Sequence, residues 1–290
     1  MTTTSATKPS PGEEARLLES REFLPGRRRQ TWHAPRLARS VQPGQFLHLL
    51  EPRARGLLLP VLPVAGFDRV AGSITLLPEA GGPAERLVHL EPDATAVLEG
   101  PLGRGFAIDP RSRYLLVVAD GVGFAHVRAV VDEAVASGRQ VTALLGAPTV
   151  GEVFPSSLLP DQVEYVVATA DGSLGHRGSV ADVVPEYEAW ADQCFAAAEP
   201  PLMATLATQA RGRDGRMGVA SLGRRRGRRP HPGAEEVRRK SWLQVALPHA
   251  AGCALAVCSG CVADGLSGPL RVCREGPAFA AAELRWESTR

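Results

Sequence analysis

The sequence predicts a β-barrel followed by a parallel α/β domain, closed by a short cysteine-bearing module. Three observations predict it. Short apolar runs broken by turn residues fill positions 15 to 110. Continuous apolar runs alternate with a helical pattern from 112 to 190. Four of the five cysteines crowd between Cys253 and Cys273.

A chain of 290 residues is long enough for two domains. It is 44% hydrophobic and 22% charged, with a formal net charge of +2. That balance is ordinary for a globular protein and points to neither nucleic acid nor membrane. No apolar run approaches the roughly 18 residues that span a bilayer. Residues 1–14 are polar, rich in Thr, Ser and Pro, and lack the apolar core of a signal peptide. They read as a disordered lead-in. A cytoplasmic location is therefore expected, and structural disulfides are not.

The barrel comes first, over 15–110. Its strand candidates are Gln45–Leu50, Gly56–Val64, Ser73–Leu77, Arg86–Leu90 and Ala94–Leu98. Pro43-Gly44 and Gly81-Gly82-Pro83 punctuate them as turns. Short strands at this spacing suit a barrel.

The α/β domain follows, over 111–210. Tyr114–Ala119 is a continuous apolar run, as a strand buried on both faces requires. Asp120-Gly121-Val122-Gly123 comes next, then a helix from Ala125 to Ser137 that stops at Gly138. Gln140–Leu145 and Val163–Ala168 repeat the strand pattern. Strands alternating with helices give right-handed crossovers.

Residues 211–240 differ in kind. Ten arginines lie between Arg211 and Arg239, with Gly and Pro among them and no hydrophobic period. The expectation is a solvated insertion; a basic arm for an acidic partner is the alternative. Interleaved aromatics that would stack bases are missing, so nucleic acid is not expected as a partner.

The last segment, 241–290, carries Cys253, Cys258, Cys261 and Cys273, spaced C-x4-C-x2-C-x11-C. This is the spacing of plant-type 2Fe-2S sites. Each of two irons needs two thiolates, and one tight loop of small residues can supply three. Ala254, Ala256, Ser259 and Gly260 are such residues, and they let backbone N–H groups face sulfur. A four-thiolate zinc site also uses C-x2-C, although two such knuckles are usual and only one is present. Cys194 stands apart as a packed thiol. His249 could replace a thiolate only in a site with two His ligands. Trp32, Trp190, Trp242 and Trp286 read as packing residues, and His126 as a polar residue in a helix's first turn.

Five blocks in order resemble one family. Pro43-Gly44-Gln45-Phe46 is similar to its PGQF strand, and Gly100-Pro101-Leu102-Gly103-Arg104-Gly105-Phe106 to its GPLGxGF turn. Gly121-Val122-Gly123 falls at its GGGIG loop, and Thr169–Val180 resembles TDDGSxGxxGxV. Cys273-Arg274-Glu275-Gly276-Pro277 resembles CKDGP. The family is the electron-transfer subunit of class 1B dihydroorotate dehydrogenase, of the ferredoxin–NADP reductase-like superfamily. The resemblance implies FAD between barrel and nucleotide domain, hydride from NADH, and single electrons through the cluster. It also implies a flavin-containing catalytic subunit as partner, in a heterotetramer serving pyrimidine biosynthesis. By the same resemblance Pro60, Gly81, Gly82, Gly100, Pro101 and Leu102 are flavin contacts. Gly121, Gly123, Asp171 and Gly172 are nucleotide contacts. Read alone, Gly121–Gly123 and Asp171-Gly172 are equally well plain turns.

The sequence departs from the family at several cofactor contacts. Leu58-Leu59-Pro60-Val61-Leu62 stands where the family has RRPxS, so both arginines and the hydroxyl are gone. Gly81-Gly82-Pro83-Ala84 replaces GxGT, Ala119-Asp120 replaces Gly-Gly, and Ala197-Ala198-Glu199 replaces CGP. A paralogue that keeps the cluster without FAD, acting as an interaction or redox-sensing subunit, is thus a second reading. A zinc-stabilised module with a basic arm is a third.

Overall fold

The computed structural model describes residues 12–50, 59–82, 84–216, 234–248, 251–253 and 257–286. Leu58, Pro83, His249, Ala254, Ala256 and the arginines at 224–229 lie outside the described residues, as does most of the lead-in.

Strand β1 (Glu13–Leu24) alternates buried Ala15 and Leu17 with exposed neighbours, which is the period of a half-buried strand. Gly26 adopts φ 71°, a left-handed value that glycine takes without strain, and turns the chain into β2 (Arg27–His33). Helix α1 (Pro35–Ser40) opens on proline, and two of its amides donate to Glu13, at 3.0 Å and 2.8 Å. Strands β3 (Phe46–Leu50), β4 (Leu59–Pro63), β5 (Gly66–Asp68), β6 (Ser73–Leu76) and β7 (Thr95–Leu102) complete the barrel, with α2 (Glu85–Val88) between the last two. Only Val64 and Ala65 separate β4 from β5. Their amides donate to Gln45 O (3.1 Å) and Thr75 O (3.0 Å), joining the two ends of the sheet. Trp32, Leu47, Ile74, Leu76 and Leu98 fill the interior, each contributing roughly 1.5–3 kcal/mol by leaving water. Arg86–Leu90, expected as a strand, is mostly the short helix α2. Its buried Leu87 and Val88 plug the barrel.

The second sheet is built as expected from continuous apolar strands. Strand β8 (Tyr114–Asp120) leads through a 3-10 turn at Gly121–Gly123 into α3 (Phe124–Ala136). Strands β9 (Gln140–Ala147), β10 (Glu164–Thr169) and β11 (His176–Arg177) follow, then α4 (Val180–Glu188), β12 (Gln193–Ala197) and α5 (Pro200–Arg216). After them come α6 (Ala234–Lys240), β13 (Leu243–Ala246), β14 (Ala251–Gly252), the hairpin β15 (Val262–Gly265) and β16 (Gly268–Arg271), α7 (Val272–Glu275) and β17 (Ala278–Ala280). The sheet order is β11-β10-β9-β8-β12-β13-β17. Every pair is parallel except β13 with β17.

The chain does not change body at 241. Strands β13 and β17 extend the nucleotide-type sheet, while β14 pairs with β4 on the barrel. The cysteine loop and the β15–β16 hairpin hang between these anchor points. One core unites all three parts: Phe46 and Val61 from the barrel, Leu116 and Val245 from the second sheet, and Val272 with Cys261 and Cys273.

The arginine-rich segment is also less irregular than expected at its described flanks, which are α5 and α6. Arg213 lies 5.0 Å over the ring of Trp242 and donates to Ala191 O at 3.1 Å. Arg238 is only 4% exposed, beside the buried carboxyl of Glu283. A guanidinium tolerates a site such as that of Arg213 because its stem packs while its fork finds acceptors, whereas the buried Nε of Arg238 has no acceptor among the described residues.

Candidate functional site

A cavity of about 580 Å³ opens where barrel, nucleotide-type sheet and cysteine loop meet. The barrel supplies Val61–Pro63 of β4 and the turn after β6, from Leu77 to Glu79 and at Gly82. The second sheet supplies Val122, Ala125 and His126 after β8, and Ala198–Pro200 after β12. The C-terminal segment supplies Gly260–Ala263 and Trp286. Strands β8 and β12 flank the point where strand order reverses. Open α/β sheets bind ligands there, beyond the C-terminal strand ends.

Gly123 is required for packing. A Cβ there would lie 1.9 Å from Ala197 O, so this glycine lets the β8–α3 turn press on the end of β12. Gly121 is different. Its φ is 51° and a Cβ would meet nothing within 4 Å, so the backbone faces open space. The acids gather at these strand ends. Burial first, then Glu199, raises the carboxyl of Asp120, with a smaller push from Glu152; the Gly121 amide opposes them.

The predicted flavin contacts divide. Gly82 lines the cavity, and Gly81 (φ 74°) holds the turn beside it with open space at its Cβ. Pro60 does not line the cavity. Its carbonyl accepts from Nδ1 of the buried His48 at 2.9 Å, and its backbone pairs with Ala251. Burial lowers the His48 imidazole, the bond to Pro60 opposes that shift, and a carbonyl acceptor calls for a proton on Nδ1. Gly100, Pro101 and Leu102 end β7 at the seam between domains. A Cβ on Gly100 would lie 2.6 Å from Leu47, and Leu102 pairs with Phe46.

Asp171 and Gly172 sit in an exposed turn after β10, outside the cavity wall. Asp171 accepts from the Ser173 amide (2.9 Å) and hydroxyl (2.6 Å), which holds its carboxyl below the usual range. Much of the Thr169–Val180 block is likewise turn and cap architecture. Ser179 caps α4, its hydroxyl accepting from Ala181 N while its own amide donates to Asp182.

Cys261 and Cys273 are brought together. Cys253, Cys261 and Cys273 are buried and Cys258 is half-buried. The Cys273 amide points at Cys261 Sγ (3.4 Å) and the Gly260 amide at Cys258 Sγ (3.4 Å). Ser259 adopts a left-handed φ of 54°, which turns the loop so that Gly260 can do this. Burial, then the Cys261 thiol and its neighbours Cys253 and Cys258, pushes the Cys273 thiol up to about 12. Thiols crowded this closely are costly to ionise alone, and a bound cation reverses that cost. Among the described residues no three Cys, His, Asp or Glu side chains form a cage for one ion. A two-iron rhomb asks instead for two pairs of thiolates, and Cys261 with Cys273 is one adjacent pair.

The cysteine loop and a flavin-sized space therefore share one wall, at Cys261. The cavity volume is that of an ordinary small-molecule pocket, and its largely apolar walls fit a flavin ring. The sequence pointed to Gly82 and Cys261 on this wall, and marked Ala84 and Glu199 as departures from the family's cofactor contacts. It did not single out Arg27, Glu79, Phe154 or Met203. Nothing local in Arg27-Arg28-Arg29 marks its first residue as facing inward.

Comparison with known proteins agrees with the architecture. No family model matches the chain. It is 27% identical over 251 residues to the dihydroorotate dehydrogenase B (NAD(+)) electron transfer subunit of Shouchella clausii, covering 84% of this chain and 86% of that one. The same-named subunit of Desulforamulus reducens is 26% identical over 283 residues, covering 94% and 98%. The chain is a homologue of these electron transfer subunits. Its fold is that of the ferredoxin reductases. An NADH-dependent reduced ferredoxin–NADP oxidoreductase superposes with a TM-score of 0.73 at 20% identity, covering 93% of this chain and 89% of that one. A ferredoxin–NADP⁺ reductase from Neisseria gonorrhoeae, solved with FAD and NADP, gives 0.59 at 12% identity, over 82% and 99%. Among the described residues no helix is long and apolar enough to cross a membrane.

Proposed function

We propose that this chain is the electron-transfer subunit of a dihydroorotate-oxidising enzyme, acting in the cytoplasm in pyrimidine biosynthesis. The names of its relatives, electron transfer subunits of a dihydroorotate dehydrogenase, support a separate catalytic subunit as its partner; the sequence resemblance implies that this partner carries flavin. The observation that carries the reading is the shared wall. One cavity touches the flavin strand β4, the nucleotide turn after β8 and the cysteine loop at Gly260–Cys261.

Cys253, Cys258, Cys261 and Cys273 would hold a 2Fe-2S cluster, with amides at Gly260 and Cys273 donating to sulfur. Val61–Pro63, Gly82 and the Gly100–Leu102 seam would shape the flavin site. Gly121 would offer open backbone to a nucleotide, and Asp171-Gly172 would form the rim at the neighbouring strand end. FAD, when bound, would turn a two-electron donor into single-electron steps that a cluster can carry. The residues around it exclude water: Val61, Leu62, Leu77, Ala198 and Met203 make the walls apolar. Glu199 and Asp120 hold negative charge at the nucleotide end, so a dinucleotide must approach by its sugar hydroxyls or displace that charge.

An anaerobic visible spectrum, with iron, zinc and flavin quantified in one sample, tests this. Flavin bands over a cluster background support the reductase. Iron without flavin would favour the cluster-only paralogue, and zinc would remove both.

A further inference from the structure

Arg27 places a guanidinium in the cavity wall at the seam between barrel and nucleotide domain. Among the described residues lining the cavity it is the only lysine or arginine, and the lining also holds two acids, Glu79 and Glu199. Its Nε pairs with Glu79 Oε2 at 3.2 Å, and Nη1 donates to Glu152 O at 3.4 Å. Its guanidinium carbon stands 5.0 Å from the centroid of Phe154. The Arg27 side chain is 21% exposed, so the charge is half sheltered yet reachable.

The flavin strand has lost its own cations. Leu59 offers no donor to a phosphate, and Leu58 lies outside the described residues. We infer that Arg27 replaces them and binds the phosphates of the flavin dinucleotide held in this cavity, releasing Glu79 as it does so. This rests on the flavin reading above.

Three features favour it. A carboxylate and a phosphate present similar oxygen pairs to a guanidinium fork, so Glu79 can stand in for the ligand. Glu79 lies in the same turn as Gly81 and Gly82, so a guanidinium that reaches Glu79 also reaches the turn predicted to hold phosphate. Phe154 supports the flat face of the guanidinium, fixing its plane while leaving the edge donors free.

The test titrates FAD, riboflavin and ADP-ribose into flavin-stripped full-length protein. Wild type is compared with Arg27→Met and Glu79→Gln, using flavin fluorescence and calorimetry. Arg27→Met should weaken FAD about 10–100-fold while leaving riboflavin within about twofold, because only the phosphates are affected. Glu79→Gln removes the competing carboxylate, so it should tighten FAD. If the ion pair served only to brace the barrel turn that walls the cavity, both variants would weaken FAD and riboflavin alike, overturning the inference. Unchanged FAD affinity in Arg27→Met would also overturn it and leave the flavin reading intact. Loss confined to ADP-ribose would reassign Arg27 to the nicotinamide dinucleotide and reject the flavin assignment. If wild type binds no flavin of either kind, the flavin reading itself falls.

Discussion

The backbone N–H of Cys273 points at the Sγ of Cys261 across 3.4 Å. A loop, a hairpin and the start of α7 are folded back to bring these two residues together. The Val272 amide, donating to Cys261 O at 2.7 Å, fixes the same approach. Replacing Cys273 with Ser should reduce iron from about two atoms per chain to well below one and abolish the visible absorption. Cys194→Ser should leave both unchanged, since Cys194 lies buried in β12 against Leu243. Equal iron in Cys273→Ser and wild type would exclude Cys273 as a ligand.

The two glycines of the nucleotide turn should respond differently to alanine. Gly123→Ala drives a Cβ into Ala197 O, and overpacking of this kind costs about 1–3 kcal/mol. Gly121→Ala meets no neighbour but pays roughly 1–2 kcal/mol for a left-handed φ. The discriminating readout is NAD(H) affinity measured on variants that remain folded. It should fall for Gly121→Ala, whose added methyl projects into open space where a nucleotide would lie.

Asp120 predicts a pH effect of known sign. Burial and the nearby Glu199 raise its carboxyl above the ordinary 3.8. The folded state therefore keeps the proton to a higher pH than the unfolded chain. Stability falls as pH rises from 3.8 through the raised value, and the loss is complete above it. Asp120→Asn should melt higher than wild type at pH 8, and the two should converge toward pH 3. Parallel melting curves at both pH values would contradict the burial cost.

Gly103→Ala should weaken the joint between barrel and cysteine segment. A Cβ there would sit 2.3 Å from Gly276 O, and the native φ is 74°. The Arg104 amide donates to that same carbonyl, so the segment following Cys273 cannot retreat without losing it. A destabilisation of about 1–3 kcal/mol in chemical denaturation is expected. Faster bleaching by an iron chelator should accompany it.

Much of this was legible in the sequence because it follows local rules. Tyr114–Ala119 reads as a buried strand from its unbroken apolar run, and Gly138 ends its helix as predicted. The cysteine spacing marked Cys261 and Cys273, which the fold brings together, without any knowledge of that fold. Long-range partnerships were not legible. Arg86–Leu90 has strand-like composition, yet Leu87 and Val88 turn inward as a helical plug because the barrel needs filling there. Arg238 resembles the other arginines of its segment in the sequence, and only the fold buries it beside Glu283. Arg27 belongs to the same class, since its cavity exists only after the nucleotide domain has docked.

The route of the C-terminal segment has a consequence for inheritance. Strand β17 shields β13, and β13 shields β12, whose Cys194, Phe195 and Ala196 pair with Leu243, Gln244 and Val245. A chain ending before Leu243 would leave β12 with a bare, flat, apolar margin, open to stacking against its own copies. If the proposed cluster were lost, the segment from Leu243 onward would still be needed to cover β12, so loss of cysteines, not truncation, is the change this fold would tolerate.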